Sequence, residues 1–408
     1  MNICAFMRVT IFQNYKGGME IHGKIIMESL RKMGHNVTII TTKHPKGDKY
    51  EEHNGIEYYF LQGVKNERYT AEWWKQSAYK FEELHKQKNF DIIWSQGSAG
   101  YGYLKYMKPK YNLPCISILH GTSFNELKTR WKEIFSIFSL FRWILFLFRV
   151  IIAHFGWESK LKNMDYFIAV SDQLKNDAIK EYNISPEKIC FIPNGIDVTK
   201  FIPFSISSVD FLKGRFGINR DEKVLLYVGK IIRQKGIHIA IKALPIILKK
   251  FDGIIKLLIV GDGNYLNKAK RLVENLHLER EVVFCGFVKN EDLVYYYNLC
   301  DIFIMPTMRV EGFPLTVIEA MACGKPIITS RIGGIPSAID DQINGILIPP
   351  GDVNMLAEKI ILVLENKELR EKLGKNAREK AVNEFNQDKM VSETMKIFEK
   401  CIKKKELH

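Results

Sequence analysis

The 408-residue sequence predicts an α/β protein built of two doubly wound parallel-sheet domains that face each other across a cleft. Three observations carry this reading. Short β-rich apolar runs alternate with longer stretches of helical period, the pattern of parallel strands covered on both faces. That alternation lapses once, around residues 193–222, and then restarts. The length suits two domains of about 200 residues each.

Taken in order, the strands of the first half are Asn2–Val9, Val37–Thr41, Ile56–Phe60, Asp91–Ser95, Cys115–Leu119, Tyr166–Val170 and Ile189–Ile192. Helical stretches such as Glu20–Met33 and Asp172–Glu181 lie between them. The second half repeats the scheme with Val224–Val228, Lys256–Val260, Val282–Phe284, Ile302–Met305, Pro326–Thr329 and Gly345–Ile348. The lapse holds Pro193-Asn194-Gly195, Pro203 and a serine cluster at Ser205–Ser208, residues that break periodic structure. The expected domains are therefore 1–200 and 201–385, with a C-terminal helix at about 386–402 packing back on the first. Ligands of such sheets bind beyond the carboxyl ends of the strands.

Composition narrows the class. The seven cysteines (Cys4, Cys115, Cys190, Cys285, Cys300, Cys323, Cys401) are odd in number and show no C-x-x-C spacing, so neither a disulfide framework nor a zinc site is indicated. A reducing, cytoplasmic location fits. The net charge is +14, and residues 1–200 hold 28 basic against 20 acidic side chains. Nearly all of that excess lies between Ile92 and Met164, with 10 basic and 3 acidic residues, which points to a surface with an anionic partner. Basic runs interleaved with aromatics are missing, so nucleic acid is not the expected partner.

The strongest chemical constellation is Glu311-Gly312-Phe313-Pro314-Leu315-Thr316-Val317-Ile318-Glu319, just after the strand Ile302–Met305. A helix starting near Pro314 offers free N–H groups and a positive dipole end to an anion. Glu319, about a turn and a half in, would point back to the same open mouth, where a carboxylate suits a ribose diol. Val224–Val228 runs into Gly229-Lys230-Ile231-Ile232-Arg233-Gln234-Lys235-Gly236, a glycine-bounded loop with three cations able to neutralise a diphosphate. Gly261-Asp262-Gly263 is another strand-end turn. In the first half Lys16-Gly17-Gly18 precedes a helix, and His120-Gly121 follows the strand Cys115–Leu119.

Together with Pro193-Asn194-Gly195-Ile196-Asp197, Gly333-Gly334-Ile335-Pro336 and Asn344-Gly345, these motifs resemble the family 4 retaining glycosyltransferases of the GT-B fold, with two Rossmann-like domains. The resemblance implies transfer of a sugar from a nucleotide-sugar donor to an acceptor with retention of configuration. It implies that Glu319 binds the donor ribose and that Glu311 sits beside the donor sugar. Gly312, Phe313, Pro314 and Leu315 would give backbone contacts, with Gly229 and Gly261 lining the donor side. Lys235 would neutralise the diphosphate, Gly17 and Gly18 would lie under it, and His120 would face the sugar near the reacting carbon. The chain departs from the family in carrying Lys230 where Arg is common, with Arg233 as a candidate to compensate, and Ser337 where Glu is common. No D-x-D triplet occurs, so neither a metal nor another cofactor is expected. Another GT-B enzyme such as a sugar-nucleotide epimerase, or a non-catalytic basic membrane-binding protein, is the alternative.

One segment is peculiar to this chain. Trp131–Trp157 has no Gly or Pro before Gly156 and predicts a helix of about 25 residues. Ser139, Arg142 and Arg149 fall on one narrow stripe, and the remaining faces are apolar. With Lys128, Arg130 and Lys132 beside it, the segment reads as an interfacial helix on the inner face of a membrane, which points to a lipid-linked or other membrane-borne glycan acceptor. A greasy core or dimer-contact helix is the plainer reading.

Overall fold

The computed structural model describes residues 1–13, 17–131, 137–204, 206–219 and 221–406; Lys16, Ser205 and residues 132–136 of the apolar segment lie outside the described residues. The chain divides into two units. The first comprises Met1–Leu127, Phe135–Gly195 and Gln387–His408, and the second Lys128–Ile134 and Ile196–Asn386.

The first unit holds strands β1 (Asn2–Phe6), β2 (Asn36–Thr41), β3 (Tyr50–His53), β4 (Ile56–Phe60), β5 (Ile92–Gln96), β6 (Cys115–Leu119), β7 (Tyr166–Ala169) and β8 (Ile189–Phe191). Its helices are α1 (Gly18–Lys32), α2 (Ala71–Lys88), α3 (Tyr101–Tyr106), α4 (Lys108–Tyr111), α5 (Ser123–Trp131, which from Lys128 on counts with the second unit), α6 (Ile137–Phe155) and α7 (Asp172–Tyr182). The sheet order is β3-β4-β2-β1-β5-β6-β7-β8, so the direction of winding reverses between β1 and β5. All pairs are parallel except β3 with β4. The sequence reading passed over β3 because Tyr50-Glu51-Glu52-His53 is a polar edge strand. The signal that could have found it is Asn54-Gly55, a two-residue hairpin turn in which both residues take positive φ (52° and 72°).

The second unit holds α8 (Asp210–Phe216), β9 (Lys223–Val228), α9 (Ile237–Lys250), β10 (Ile255–Val260), α10 (Leu266–Asn275), β11 (Val282–Gly286), α11 (Leu293–Leu299), β12 (Ile302–Met305), α12 (Leu315–Ala322), β13 (Ile327–Ser330), β14 (Ile346–Ile348), α13 (Val353–Glu365) and α14 (Lys367–Glu384). Its six strands are all parallel, in the order β11-β10-β9-β12-β13-β14. Leu225 and Tyr227 of β9 and Leu257 and Ile259 of β10 are buried with Ile241 and Leu244 of α9 and Leu356 and Ile360 of α13. A strand apolar on both faces is what such a two-sided core demands. Winding reverses between β9 and β12. A crevice opens at such a point because the loops leaving the two strands diverge to opposite faces of the sheet. The last helix, α15 (Gln387–Glu406), belongs to the first unit and packs on α1 and β7.

Candidate active site

The switch point of the second unit gathers the loops that follow β9, β10 and β12. They pack backbone against backbone. A Cβ on Gly236, whose φ is +78°, would lie 1.8 Å from the Pro306 carbonyl oxygen, and one on Gly261 would lie 2.0 Å from that of Gly229. Any side chain at either position would force these loops apart. The buried Tyr227 hydroxyl at the end of β9 donates to the carbonyls of Lys230 and Lys235, each at 3.5 Å, and so braces the cationic loop from below.

Between the loops after β9 and β12, Lys235 Nζ and Glu311 Oε1 form an ion pair at 2.7 Å. Thr307 Oγ1 donates to the same carboxylate oxygen at 3.2 Å, and the Gly334 N–H donates to the Glu311 carbonyl at 2.8 Å. These contacts fix both ends of Glu311. Gly312 follows it, and Phe313 and Leu315 are buried, with Phe313 edge-on to Phe385 at 5.2 Å. Their side chains serve the core, so only their backbone is available to a ligand. Pro314 is the N-cap of α12 and Leu315 its first residue, which leaves the free N–H groups of the first turn beside Glu311. Lys230 is exposed at the rim. Arg233 lines a separate basic cavity with His238 and Tyr265.

Glu319 is not at an open mouth. It is only 3% exposed; its Oε1 accepts from Asn290 Nδ2 at 3.0 Å and its Oε2 from the Tyr297 hydroxyl at 2.7 Å. The reason is the helix itself: one and a half turns into α12 the side chain meets α11 rather than solvent. Lys200 Nζ lies against Asn290, at 3.3 Å from its carbonyl and 3.4 Å from its Oδ1. Burial raises the pKa of Glu319, while the Tyr297 and Asn290 hydrogen bonds and the Lys200 charge pull it down less. Asn290, Tyr297 and Lys200 were invisible to sequence reasoning, since nothing at their own positions marks them.

This carries a pH prediction. A carboxyl whose pKa is raised by folding binds its proton more tightly in the folded than in the unfolded state. Its contribution to stability is full below the unfolded carboxylate pKa and is lost as pH rises through the raised value. Glu319→Gln removes the ionisable group, so its denaturation midpoint should gain on wild type between pH 4 and pH 8. A midpoint difference that is flat with pH would show that the buried carboxyl is not strained.

In the first unit, Gly17 is the N-cap of α1 and Gly18 its first residue, beyond the end of β1. Gln96 of β5 donates from Nε2 to the Met19 carbonyl at 2.9 Å, tying that helix start to the β1/β5 switch point. His120 follows β6 and meets His22 of α1 edge-on, with ring centroids 4.6 Å apart. His120 Nε2 and His22 Nδ1 are buried without hydrogen-bond partners. Burial lowers His120 to about 4; burial, and then the neighbouring His120, hold His22 well below the usual histidine range. Both rings are neutral at pH 7 and can act as hydrogen-bonding groups but not as cations. His22 was missed because a single histidine on the inner face of a helix looks like any buried polar residue. Among the described residues one cluster has metal-ligating chemistry: His44, with Asp48 at 2.9 Å from Nδ1 and Glu51 at 3.6 Å from Nε2. The two carboxylates sit on opposite ring nitrogens of His44.

Comparison with known proteins agrees with this fold. Residues 16–200 match the Glycosyltransferase Family 4 model and residues 208–380 the Glycosyl transferases group 1 model. The chain is similar to the N-acetyl-alpha-D-glucosaminyl L-malate synthase of Bacillus anthracis, 28% identical over 94% of this chain and 93% of the relative. It is also similar to the UDP-Gal:alpha-D-GlcNAc-diphosphoundecaprenol alpha-1,3-galactosyltransferase of Escherichia coli, 28% identical over 79% of this chain and 78% of that enzyme. Among solved structures, Alr3699/HepE of Anabaena in complex with UDP superposes with a TM-score of 0.74 at 20% identity, covering 98% of this chain and 99% of that one. That likeness is one of fold.

Proposed function

The chain is a glycosyltransferase of group 1 with the GT-B fold, and from that premise we propose that it transfers a sugar from a nucleotide-sugar to a lipid-linked or other membrane-borne glycan acceptor. Transfer proceeds with retention of configuration and needs no metal ion or other cofactor. The observation that carries the reading is the Lys235–Glu311 pair at the β9/β12 switch point, beside the first turn of α12. A diphosphate at that place meets Lys235, the exposed Lys230 and free backbone N–H groups, which together supply the positive charge a leaving group needs. Glu319, held by Asn290 and Tyr297, takes the ribose hydroxyls once the nucleotide displaces part of that network. In the first unit Gly17 and Gly18 are assigned the place under the diphosphate, and the neutral His120 the sugar-side contact, that the resemblance implies. The Escherichia coli relative acts on a diphosphoundecaprenol acceptor by its name, which supports a lipid-linked acceptor here.

A thermal shift against UDP-, GDP- and ADP-sugars tests the donor class. Ligand at about 100 times its dissociation constant stabilises by roughly 2.7 kcal/mol, and no shift with any of the panel would remove the donor assignment. With the donor found, transfer should survive EDTA, since lysines and helix N–H groups hold the diphosphate. Loss of activity in chelator with rescue by magnesium or manganese would overturn metal independence, and NMR of the product anomeric proton tests retention.

The membrane assignment rests on α6. The exposed large side chains Phe141, Leu145, Phe148, Ile152 and Phe155 recur at four- and three-residue steps, so they form one continuous stripe. Arg142 and Arg149, both exposed, flank it. The inner face is engaged within its own unit: Val150 is buried, Trp143 Nε1 donates to the Leu127 carbonyl at 3.4 Å, and His154 lies edge-on to Phe124 at 5.2 Å. Among the described residues one helical stretch, Ser139–Asn163, is long and apolar enough to cross a membrane. A single crossing there would put β6 and β7 on opposite sides of the bilayer, although they are paired from Ile116↔Tyr166 to Leu119↔Ala169. That pairing speaks against a crossing, and on our reading the helix lies in the interface plane at the cytoplasmic face, with its arginines towards anionic headgroups.

A further inference from the structure

A second charged cavity lies in the second unit, between α9 and α10. Arg233, His238, Lys242, Tyr265, Lys268 and Arg271 line it, and its volume is about 280 Å³. Winding of the sheet separates it from Glu319. Helices α9 and α10 follow steps from β9 to β10 to β11, whereas α12 follows the opposite step from β12 to β13. Right-handed crossovers in opposite directions place their helices on opposite faces of the sheet. In agreement, α9 packs on α10 and α13, and α12 on α11 and α14.

No carboxylate lines the cavity, and Lys242, Lys268 and Arg271 have no ion pair among the described residues. At its floor His238 is 7% exposed, and its Nδ1 is buried without a hydrogen-bond partner. Burial, then Arg233 and Lys242, lower this ring to about 4, so it stays neutral at pH 7. Cations gathered round a concavity repel one another unless an anion joins them, and a buried ring nitrogen without a partner costs free energy. Ordinary solubilising lysines are spread over convex surface and leave no such atom behind.

We propose that this groove binds a soluble phosphate-bearing ligand, at a site distinct from that of the donor diphosphate. Arg233 and Arg271 offer forked contacts to phosphate oxygens, and Lys242 and Lys268 point charges. The size of the groove suits one or two phosphate groups with a small attached moiety.

Inorganic pyrophosphate is the probe, titrated calorimetrically into the full chain. Because the donor site also attracts diphosphate, the measurement is made on Lys235→Ala protein. Pyrophosphate should still bind it, and adding Lys268→Ala and Arg271→Ala should weaken that binding at least 10-fold. The Lys268→Ala/Arg271→Ala protein with Lys235 intact should keep its thermal midpoint and its nucleotide-sugar binding, which separates failure here from failure of the donor assignment. Pyrophosphate binding that vanishes with Lys235→Ala alone, or that ignores the two groove substitutions, would overturn the proposal. A parallel titration with a soluble short-chain phosphatidic acid identifies the source: tighter binding than pyrophosphate would replace the soluble ligand by a lipid headgroup.

Discussion

Lys235→Ala is expected to slow transfer by about 100- to 1000-fold, or ~2.7–4 kcal/mol of transition-state stabilisation. Negative charge grows on the leaving diphosphate as the sugar–oxygen bond breaks, and a fixed cation is worth most where water is scarce. Lys235 meets that condition, since the side chains of Lys235 and Glu311 are only 20% and 10% exposed. Its direction is set by the Glu311 carboxylate, which itself accepts from Thr307 Oγ1, while the Gly334 N–H holds the Glu311 backbone carbonyl. The two partners should separate in kinetics. Lys235→Ala removes the charge and should depress kcat more than it raises the donor KM. Glu311→Gln frees the lysine, so diphosphate product should bind at least as tightly as in wild type while turnover falls. Single-turnover rates on an identified donor check both, with circular dichroism confirming the fold. A Lys235→Ala enzyme retaining a third or more of the wild-type rate would show that the leaving group finds its charge elsewhere.

How far the site could be read in advance depended on whether its parts share a stretch of chain. Lys235 and Glu311 stand in loops directly after apolar strands, and a strand buried on both faces announces its own end. Glu319 belongs to the same short motif, yet its burial was not legible. It arises from Asn290 and Tyr297, which reach it from the loop and helix after β11, 29 and 22 residues earlier in the chain. His22 is hidden in the same way: its meaning comes from His120, which the β6 strand delivers across the sheet. The polar edge strand β3 escaped because it has no apolar run, and only its Asn54-Gly55 turn speaks for it.

The apolar segment shows the complementary limit. Composition marks it as unusual, but a stretch apolar on nearly every face cannot say which face is left over. Packing decides that: Trp143, Val150 and His154 turn inward, and Ile152 and Phe155 stay 71% and 78% exposed. On the proposed membrane reading the arginines acquire a role, because two cations beside an apolar stripe fit a headgroup layer better than a protein core.

Phe141→Ser with Phe148→Ser is expected to release the protein from anionic vesicles. A fully buried phenylalanine contributes ~1.5–3 kcal/mol, and these side chains are already partly covered by their own helix, so ~1–2 kcal/mol each is a fair share. The pair then costs about 2–4 kcal/mol, or roughly 30- to 1000-fold in vesicle partitioning. Arg142→Gln with Arg149→Gln should instead remove only the preference for anionic over neutral vesicles, about 1 kcal/mol per charge, and that smaller loss should shrink further in high salt. Transfer to a short water-soluble acceptor should be unchanged in both variants, since neither pair belongs to the donor loops. Sedimentation velocity supplies the competing outcome. An α6 stripe that pairs two copies of the chain would give a dimer in wild type and a monomer in the phenylalanine variant. A wild-type dimer with no vesicle binding would replace the membrane by a second copy of the chain. Equal vesicle binding by wild type and the phenylalanine variant would place the membrane contact on some other surface.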